Sequence, residues 1–329
     1  LEPYTLPMVI GIEASRAHRQ KKTGVEWYAY HLVEALKKLP ETAPHSWLLY
    51  GNEPLMYGLE KGPNNWHETR LAWPPKYLWT QLRLSWEMFR RPPDALFVPA
   101  HVLPRSIPRR SVVTVHDVGF HRYPELYPWY QRWYHEWSTR DIVKRATTVL
   151  TVSEFCKREI VELYGADPSR IQVTPLGNHH ENFQPASREE QEDVLQALQL
   201  SQPFFLFIGR IEDKKNVGLL VEAFHRYKQR RGEGDPMQLV LAGRSGEGSD
   251  GIRRAAEAGV GRDAIRFVDY LPEDLKPGLL SAATAYIQPS WYEGFGLPPL
   301  EAMACGTPVL SSNAASLPEV VGEGNALFF

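Results

Sequence analysis

Two carboxylates, Glu293 and Glu301, flank a glycine turn in Glu293-Gly294-Phe295-Gly296-Leu297-Pro298-Pro299-Leu300-Glu301, with seven residues between them. Glycine at 294 and 296 permits positive φ and lets backbone N–H groups approach a ligand closely. Pro298 and Pro299 suit the first turn of a helix, where a missing N–H costs little. Leu300, Met303 and Ala304 fall at helical spacing, and Gly306 is placed to end the helix. Such a turn aims N–H groups and the positive end of a helix dipole at one spot, which favours an anion. A carboxylate beside bound phosphate is repelled unless it faces something neutral, such as sugar hydroxyls. The stretch therefore suits a ligand with both phosphate and polyol parts, and a nucleotide sugar fits. The simpler alternative is a helix N-terminus whose acidic residues complement the dipole.

A second cluster is Gly209-Arg210-Ile211-Glu212-Asp213-Lys214-Lys215-Asn216, after the apolar run 204–208. Arg210 and Lys215 at a strand end and helix start could clamp a diphosphate, one as a planar fork and the other as a point charge. A solvated basic loop is the alternative. His116, in Val115-His116-Asp117-Val118-Gly119, closes another apolar run. It either works there or is a satisfied structural histidine with Asp117 as a turn cap. Gly24 in Thr23-Gly24-Val25-Glu26 permits close backbone approach, although a plain turn explains it equally. The basic run Arg16, His18, Arg19, Lys21 and Lys22 could attract an anionic acceptor, but a solvated, mobile loop is the favoured reading. Arg244, after Leu241-Ala242-Gly243, offers one further phosphate or acceptor contact. Trp129, Tyr130, Trp133, Tyr134 and Trp137 read first as core or loop packing. A sugar-stacking wall or a membrane-facing patch are the other readings.

These groups need elements to hold them. Short apolar runs at 8–12, 47–50, 95–98, 112–115, 148–152 and 171–174 read as strands, with helices at 27–36 and from an N-capping Ser153 to about Tyr164. After a polar linker over 176–190, strands recur at 204–208, 239–243, 265–268, 285–287 and 309–311, with helices at 217–229 and 275–283. Strands alternating with helices imply parallel sheets covered on both faces, twice over.

The chain of 329 residues is long for one core, and two domains are expected. A formal net charge of −2 gives no footprint for nucleic acid. Two cysteines far apart, Cys156 and Cys305, suggest neither a disulfide framework nor a zinc site and suit a reducing cytoplasm. No apolar run approaches the ~18 residues of a membrane span, and no strongly basic amphipathic helix stands out. No secretion signal opens the chain, and the missing initiator Met suggests that the true start lies upstream.

The Glu293/Glu301 pair with its Glu-Gly-Phe-Gly-Leu-Pro run resembles the donor-site motif of retaining family-4 glycosyltransferases, the glycosyl transferases group 1. Gly209-Arg210 through Lys215-Asn216 resembles that family's phosphate-binding element, with Lys215 rather than Lys214 as the active cation. His116 resembles the strand-end histidine that faces the donor sugar. Thr23-Gly24-Val25-Glu26 resembles the first loop, where a helix N-terminus meets donor phosphate, although the family often has more than one glycine there. Phe267-Val268-Asp269-Tyr270-Leu271 falls where the family holds the nucleobase, largely through backbone groups.

The resemblance implies an α/β GT-B fold: two Rossmann-like doubly wound domains facing across a cleft. Residues 1–180 would form the acceptor side and 181–329 the donor side, the latter lacking the several further helices usual in the family. The catalytic set it implies is His116, Arg210, Lys215 and Glu293. The donor-binding set is Gly24, Gly209, Arg210, Lys215, Tyr270, Leu271, Glu293, Gly294, Phe295, Gly296, Leu297 and Glu301. It implies transfer of a mannose- or glucose-type sugar, with retention, from a GDP- or UDP-linked donor to a glycan or lipid-linked acceptor. No metal and no cofactor are expected. No Asp-x-Asp pair occurs, in keeping with cations doing a metal's work. The expected setting is cytoplasmic, with peripheral contact at the inner membrane face and with surface polysaccharide or glycolipid as product. The rivals are a nucleotide-sugar-binding protein without catalysis and an epimerase or phosphorylase of similar architecture. A nicotinamide oxidoreductase is disfavoured, because neither Gly11 nor Gly209 begins a Gly-x-Gly-x-x-Gly turn.

Overall fold

The computed structural model describes residues 6–19, 22, 24–75, 77–100, 102–177, 182–232 and 234–329. The chain divides into two compact units: Leu1–Val152 with Cys156–Thr174, and Ser153–Phe155 with Pro175–Phe329. Residues 178–181 of the expected linker lie outside the described residues.

The first unit is built on seven strands: β1 (Val9–Glu13), β2 (Ser46–Gly51), β3 (Trp66–Arg70), β4 (Ala95–Val98), β5 (Arg110–Val115), β6 (Thr148–Thr151) and β7 (Ile171–Val173). Their order is β3-β2-β1-β4-β5-β6-β7, and every pairing is parallel. The helices are α1 (Gly24–Lys38), α2 (Ser85–Arg90), α3 (Gly119–Arg122), α4 (Trp129–Arg145) and α5 (Glu154–Tyr164). Both sheet faces are covered, as parallel pairing demands. Ala29 and Val33 of α1 join Ile12, Trp47 and Leu49 in one core. Leu84, Met88 and Ile142 join Leu96, Val113 and Val149 in the other.

Three features depart from the sequence expectations. β3, Trp-His-Glu-Thr-Arg, carries no apolar run, because it is an edge strand that water can reach. It is anchored by Trp66 stacked on Trp47, with ring centroids 4.6 Å apart. The aromatic residues of α4 are not core. The helix buries Ser138, Thr139 and Ile142, small or slender residues that let it lie close to its neighbours, so the large rings fall on the outer face. The basic loop is not simply solvated. Arg16 and Arg19 lie 3.5 and 3.7 Å from the buried Glu26, and buried His18 places Nδ1 3.2 Å from the Ala14 carbonyl. Lys22 is buried over the rings of Trp27, Tyr30 and Tyr57, and that burial pushes its ammonium pKa down. Cations gain from aromatic faces, so this loop has anchors that charge counting alone misses. Lys21 and Thr23 lie outside the described residues.

The second unit holds β8 (Phe204–Ile208), β9 (Gln238–Ala242), β10 (Ile265–Val268), β11 (Ala285–Gln288), β12 (Val309–Ser311) and β13 (Leu327–Phe328). Its order is β10-β9-β8-β11-β12-β13, again all parallel. Its helices are α6 (Arg188–Ala197), α7 (Val217–Arg231), α8 (Ser249–Ala258), α9 (Lys276–Ala282), α10 (Leu297–Ala304) and α11 (Leu317–Val321). Phe204, Leu206 and Ile208 pack with α9 and α10 on one face, while Phe207 packs with α7 on the other. In each unit the strand order reverses beside the first strand, at β1/β4 and at β8/β11. Open α/β sheets bind ligands outside the carboxyl ends of strands at such a switch point.

Candidate functional site

The switch point of the second unit is where the sequence motifs converge. β8 runs into Gly209-Arg210, and a 3₁₀ turn over Asp213–Lys215 ends at Asn216 with φ +54°. β11 leads into the turn before α10. The Trp291 N–H donates to the Lys214 carbonyl at 3.2 Å, tying the two loops together. Gly243, after β9, has φ +146°, and a Cβ there would lie 1.8 Å from the Gly209 carbonyl oxygen. Only glycine lets the two strand ends close up in this way.

Lys215 Nζ donates to both oxygens of Glu293, at 2.5 and 2.6 Å. Glu293 is buried and accepts further bonds from Gln288 Nε2 at 2.8 Å and Ser290 Oγ at 2.7 Å. The Tyr286 hydroxyl donates to Gln288 Oε1 in turn. Tyr286, Gln288 and Ser290 alternate along β11 and its extension, so one side of a buried strand carries a polar ladder. Burial, with the charges of Glu293 and Glu301 added, pushes the Tyr286 phenol far up and keeps it a neutral donor. The sequence pattern places 285–287 in a strand but singles out none of Tyr286, Gln288 and Ser290 as a site residue. The signal was there: polar groups at period two in an otherwise apolar strand.

The turn itself is held by hydroxyls. Ser316 Oγ donates to the carbonyls of Glu293 and Phe295 at 2.9 and 2.8 Å, and Ser153 Oγ donates to that of Gly294 at 2.7 Å. In a trans peptide the N–H points opposite to the carbonyl. The N–H groups of Phe295 and Gly296 therefore face the other way, and neither has an acceptor among the described residues. Unpaired N–H groups on successive residues are donors that an anion can take. Gly296 takes φ +104° as the N-cap of α10, with no side-chain cap; Gly294, expected to share that conformation, does not. Ser153 Oγ donates to the Gly294 carbonyl just before α5, and Glu319 accepts from the N–H groups of Glu154 and Phe155 at 2.7 and 2.9 Å.

Glu301 sits on α10 with 9% of its surface exposed, and its Oε2 is buried without a hydrogen-bond partner. Burial pushes its carboxyl up in pKa, against the pull of Lys276 Nζ at 3.9 Å. A buried acceptor left unpaired is costly and calls for an explanation. Arg210 is exposed and lies 3.4 Å from Glu212. Beyond β9 and β10, the Arg244 guanidinium lies 4.6 Å over the half-exposed Tyr270 ring, with Nη2 buried and unpartnered. The Leu271 side chain belongs to the core, which leaves its backbone for any contact. Phe295 is buried, and Gly209 and Leu297 are partly so.

Two expected site residues lie in the first unit. Gly24 is the exposed first residue of α1, and a Cβ there would meet nothing within 4 Å. Internal packing therefore does not require glycine. His116 follows β5 and is buried. Its Nε2 lies 2.9 Å from the Pro99 carbonyl, which assigns a proton to that nitrogen. The Tyr28 ring meets it edge-on at 4.7 Å, and the His116 carbonyl accepts from the Cys156 thiol at 3.4 Å. Burial lowers its pKa, keeping the ring neutral near pH 7. Among the described residues no group of three His, Cys, Asp or Glu side chains is placed to hold a metal ion. None of their helices is long and apolar enough to cross a membrane.

Comparison with known proteins follows the same division. The family model Glycosyltransferase Family 4 matches residues 22–181, and Glycosyl transferases group 1 matches residues 188–329. The chain is 38% identical over 226 residues to O-antigen chain mannosyltransferase B of Escherichia coli, covering 68% of this chain and 58% of that protein. It is 35% identical over 198 residues to alpha-maltose-1-phosphate synthase of Mycolicibacterium smegmatis, covering 57% and 49%. The chain thus spans about half the length of these curated relatives. Sucrose-phosphate synthase from Thermosynechococcus elongatus shares the fold, with a TM-score of 0.72 at 20% identity over 98% of this chain and 85% of that one.

Proposed function

The chain belongs to glycosyltransferase family 4 of the group 1 glycosyl transferases and has the GT-B architecture, and from that premise we propose that it transfers a mannose- or glucose-type sugar from a GDP- or UDP-linked donor to an acceptor hydroxyl. The proposed transfer retains the anomeric configuration and needs no metal. The observation that carries this reading is the buried Glu301 Oε2, which has no hydrogen-bond donor and only Lys276 Nζ at 3.9 Å, beside a turn whose Phe295 and Gly296 N–H groups have no acceptor among the described residues. A ribose diol would supply the missing donors, and the diphosphate would take the N–H groups.

In this reading Phe295 and Gly296 N–H, Arg210 and Lys215 stabilise the departing nucleoside diphosphate, where preorganised donors act most strongly. Lys215 is paired with Glu293 in the free chain. Donor phosphate would share that cation and leave Glu293 to accept from sugar hydroxyls, with Gln288 and Ser290 keeping the carboxylate in place. The acceptor oxygen bonds to the anomeric carbon on the face from which the diphosphate leaves, and its proton passes to a phosphate oxygen. Tyr270, the Leu271 backbone and Arg244 would hold the base, with the buried Arg244 Nη2 donating to a base carbonyl. Gly24 would let the α1 N-terminus approach phosphate. His116 would contact the sugar as a neutral imidazole, which its burial supports. Domain assignment as acceptor side (1–180) and donor side (181–329) belongs to the same proposal.

The acceptor we propose is a glycan or a lipid-linked glycan in polysaccharide assembly, met at the inner face of a membrane. The name of the Escherichia coli relative supports the glycan class. The test is a transfer assay with GDP-mannose and UDP-glucose against such acceptors, with the product's anomeric configuration read by NMR. An α-linked product from an α-donor is expected. An inverted product overturns the mechanism, and tight donor binding without turnover in a folded chain overturns catalysis.

A further inference from the structure

Of the residues 285–305, all of them described, Trp291 alone is exposed, at 49%. That stretch holds β11, the glycine turn and α10, and it carries both Glu293 and Glu301. A tryptophan left half in water forgoes much of the gain of burying it. On a plain surface such a residue calls for no explanation. Here it lies two residues before Glu293, inside the segment that builds the site.

The backbone under the ring is fixed on both sides. Ser290 is fully buried, and its carbonyl accepts from Ser312 Oγ at 2.7 Å. Tyr292 is buried, its ring centroid 5.5 Å from that of Phe155, and Lys214 Nζ lies 5.5 Å from the same Tyr292 centroid. The Trp291 N–H donates to the Lys214 carbonyl. None of these contacts uses the indole, so the mount survives changes to the ring. A large aromatic face carried on a fixed backbone loses little freedom when a ligand covers it.

A pyranose has the matching shape. The C–H bonds of one face are apolar, while the rim of the ring carries hydroxyls. Sites for such ligands combine an aromatic surface with a few placed polar groups. The groups read above as donor contacts, Glu293, Glu301 and the Phe295 turn, are buried. Trp291 is the exposed member of the same segment, open to a sugar that arrives after the donor is in place. We propose that the Trp291 indole is the platform on which the accepting pyranose stacks. The proposal rests on the transfer reading and deepens it, giving the second unit a share in acceptor recognition.

Transfer kinetics of the full chain test it, with GDP-mannose and UDP-glucose as donors and methyl α-mannoside, methyl α-glucoside and α-mannotriose as acceptor probes. The parent is compared with Trp291→Phe and Trp291→Ala. Trp291→Ala is expected to raise the acceptor KM about tenfold, the worth of one aromatic contact, with donor KM and kcat at saturating acceptor within about twofold of the parent. Trp291→Phe keeps a ring and should recover most of that loss. Saturation-transfer NMR should give the same order for binding of the methyl glycosides, with mannitol, which has no ring face, held by none of the three chains. Circular dichroism melts of the three are expected to coincide, because the backbone anchors remain. An acceptor KM unchanged in Trp291→Ala, or a parent that takes donor and binds none of the sugar probes, overturns the proposal. So does weaker binding of free GDP or UDP by Trp291→Ala, which would put the ring under the nucleobase. Equal rises in donor and acceptor KM overturn it as well, since they mean general damage to the site. Nucleotide-sugar binding in a chain where the ring changes nothing removes this proposal alone. Methyl glycosides held through Trp291 by a chain that takes no nucleotide sugar remove the transfer reading alone.

Discussion

Lys215 and Glu293 are each other's partners in the free chain, so changing one strands the other. Lys215→Ala is expected to lower transfer by about 10²–10³-fold, since a charge poised on the leaving group is removed. It should also cost about 1–3 kcal/mol of stability by leaving a mostly buried carboxylate without its cation. The double change Lys215→Met/Glu293→Gln is expected to recover much of that stability in a thermal melt and none of the transfer. Recovery of both would assign the pair a purely structural role. Glu301 behaves differently, because burial raises its carboxyl pKa. A raised acid contributes stability that is fully present below its unfolded value and lost as pH rises through the folded one. Glu301→Gln is therefore expected to melt above the parent near pH 7, with the gap closing toward pH 4. The same variant should bind donor about 10–100-fold more weakly, because hydrogen bonds to a charged acceptor are lost. A gap that stays constant with pH would contradict the assignment of that burial cost to this carboxyl.

At the scale of elements, the site depends on how closely two strand ends approach. Gly243→Ala would set a Cβ against the Gly209 carbonyl in a φ that alanine rarely adopts, and a loss of at least ~2–3 kcal/mol is expected on thermal unfolding. Gly24→Ala makes the opposite prediction. Its Cβ would meet open space at a helix start, so stability should hold or rise by up to ~1 kcal/mol while donor binding weakens. Unchanged binding would remove Gly24 from the site. Much of this was legible in sequence. The glycine turn, the proline-started α10 and the strand-end Gly209-Arg210 all have local causes, and each forms where its residues require. What was not legible depends on neighbours. β3 is a strand because β2 offers it an edge, the Gln288–Ser290 ladder works because Tyr286 and Glu293 complete it, and the α4 rings are outside because small residues choose the inner face. Ser153 reads as a cap in sequence, but its bond to the Gly294 carbonyl exists only in the fold.

For the molecule as a whole, the alternation of strands and helices announced two parallel α/β units, and the same strand order recurs in both sheets. The switch point was not readable from the chain alone. It exists only once β11 lies beside β8 rather than beside β10, and that pairing is what sets Lys215 against Glu293. Donor nucleotide should accordingly slow amide exchange most at 209–216 and 290–301, segments 70 or more residues apart in sequence. Protection confined to one of them would argue against a shared site. The central claim is that this switch point binds a nucleotide sugar through Lys215 and Glu301. Its most direct test is a calorimetric titration of the folded chain with GDP-mannose, UDP-glucose and the free diphosphates, beside Lys215→Ala and Glu301→Ala. Saturable binding of one donor, weakened at least tenfold in both variants, is the expected result. A folded parent that binds none of them, or a donor bound equally well by both variants, would contradict the account.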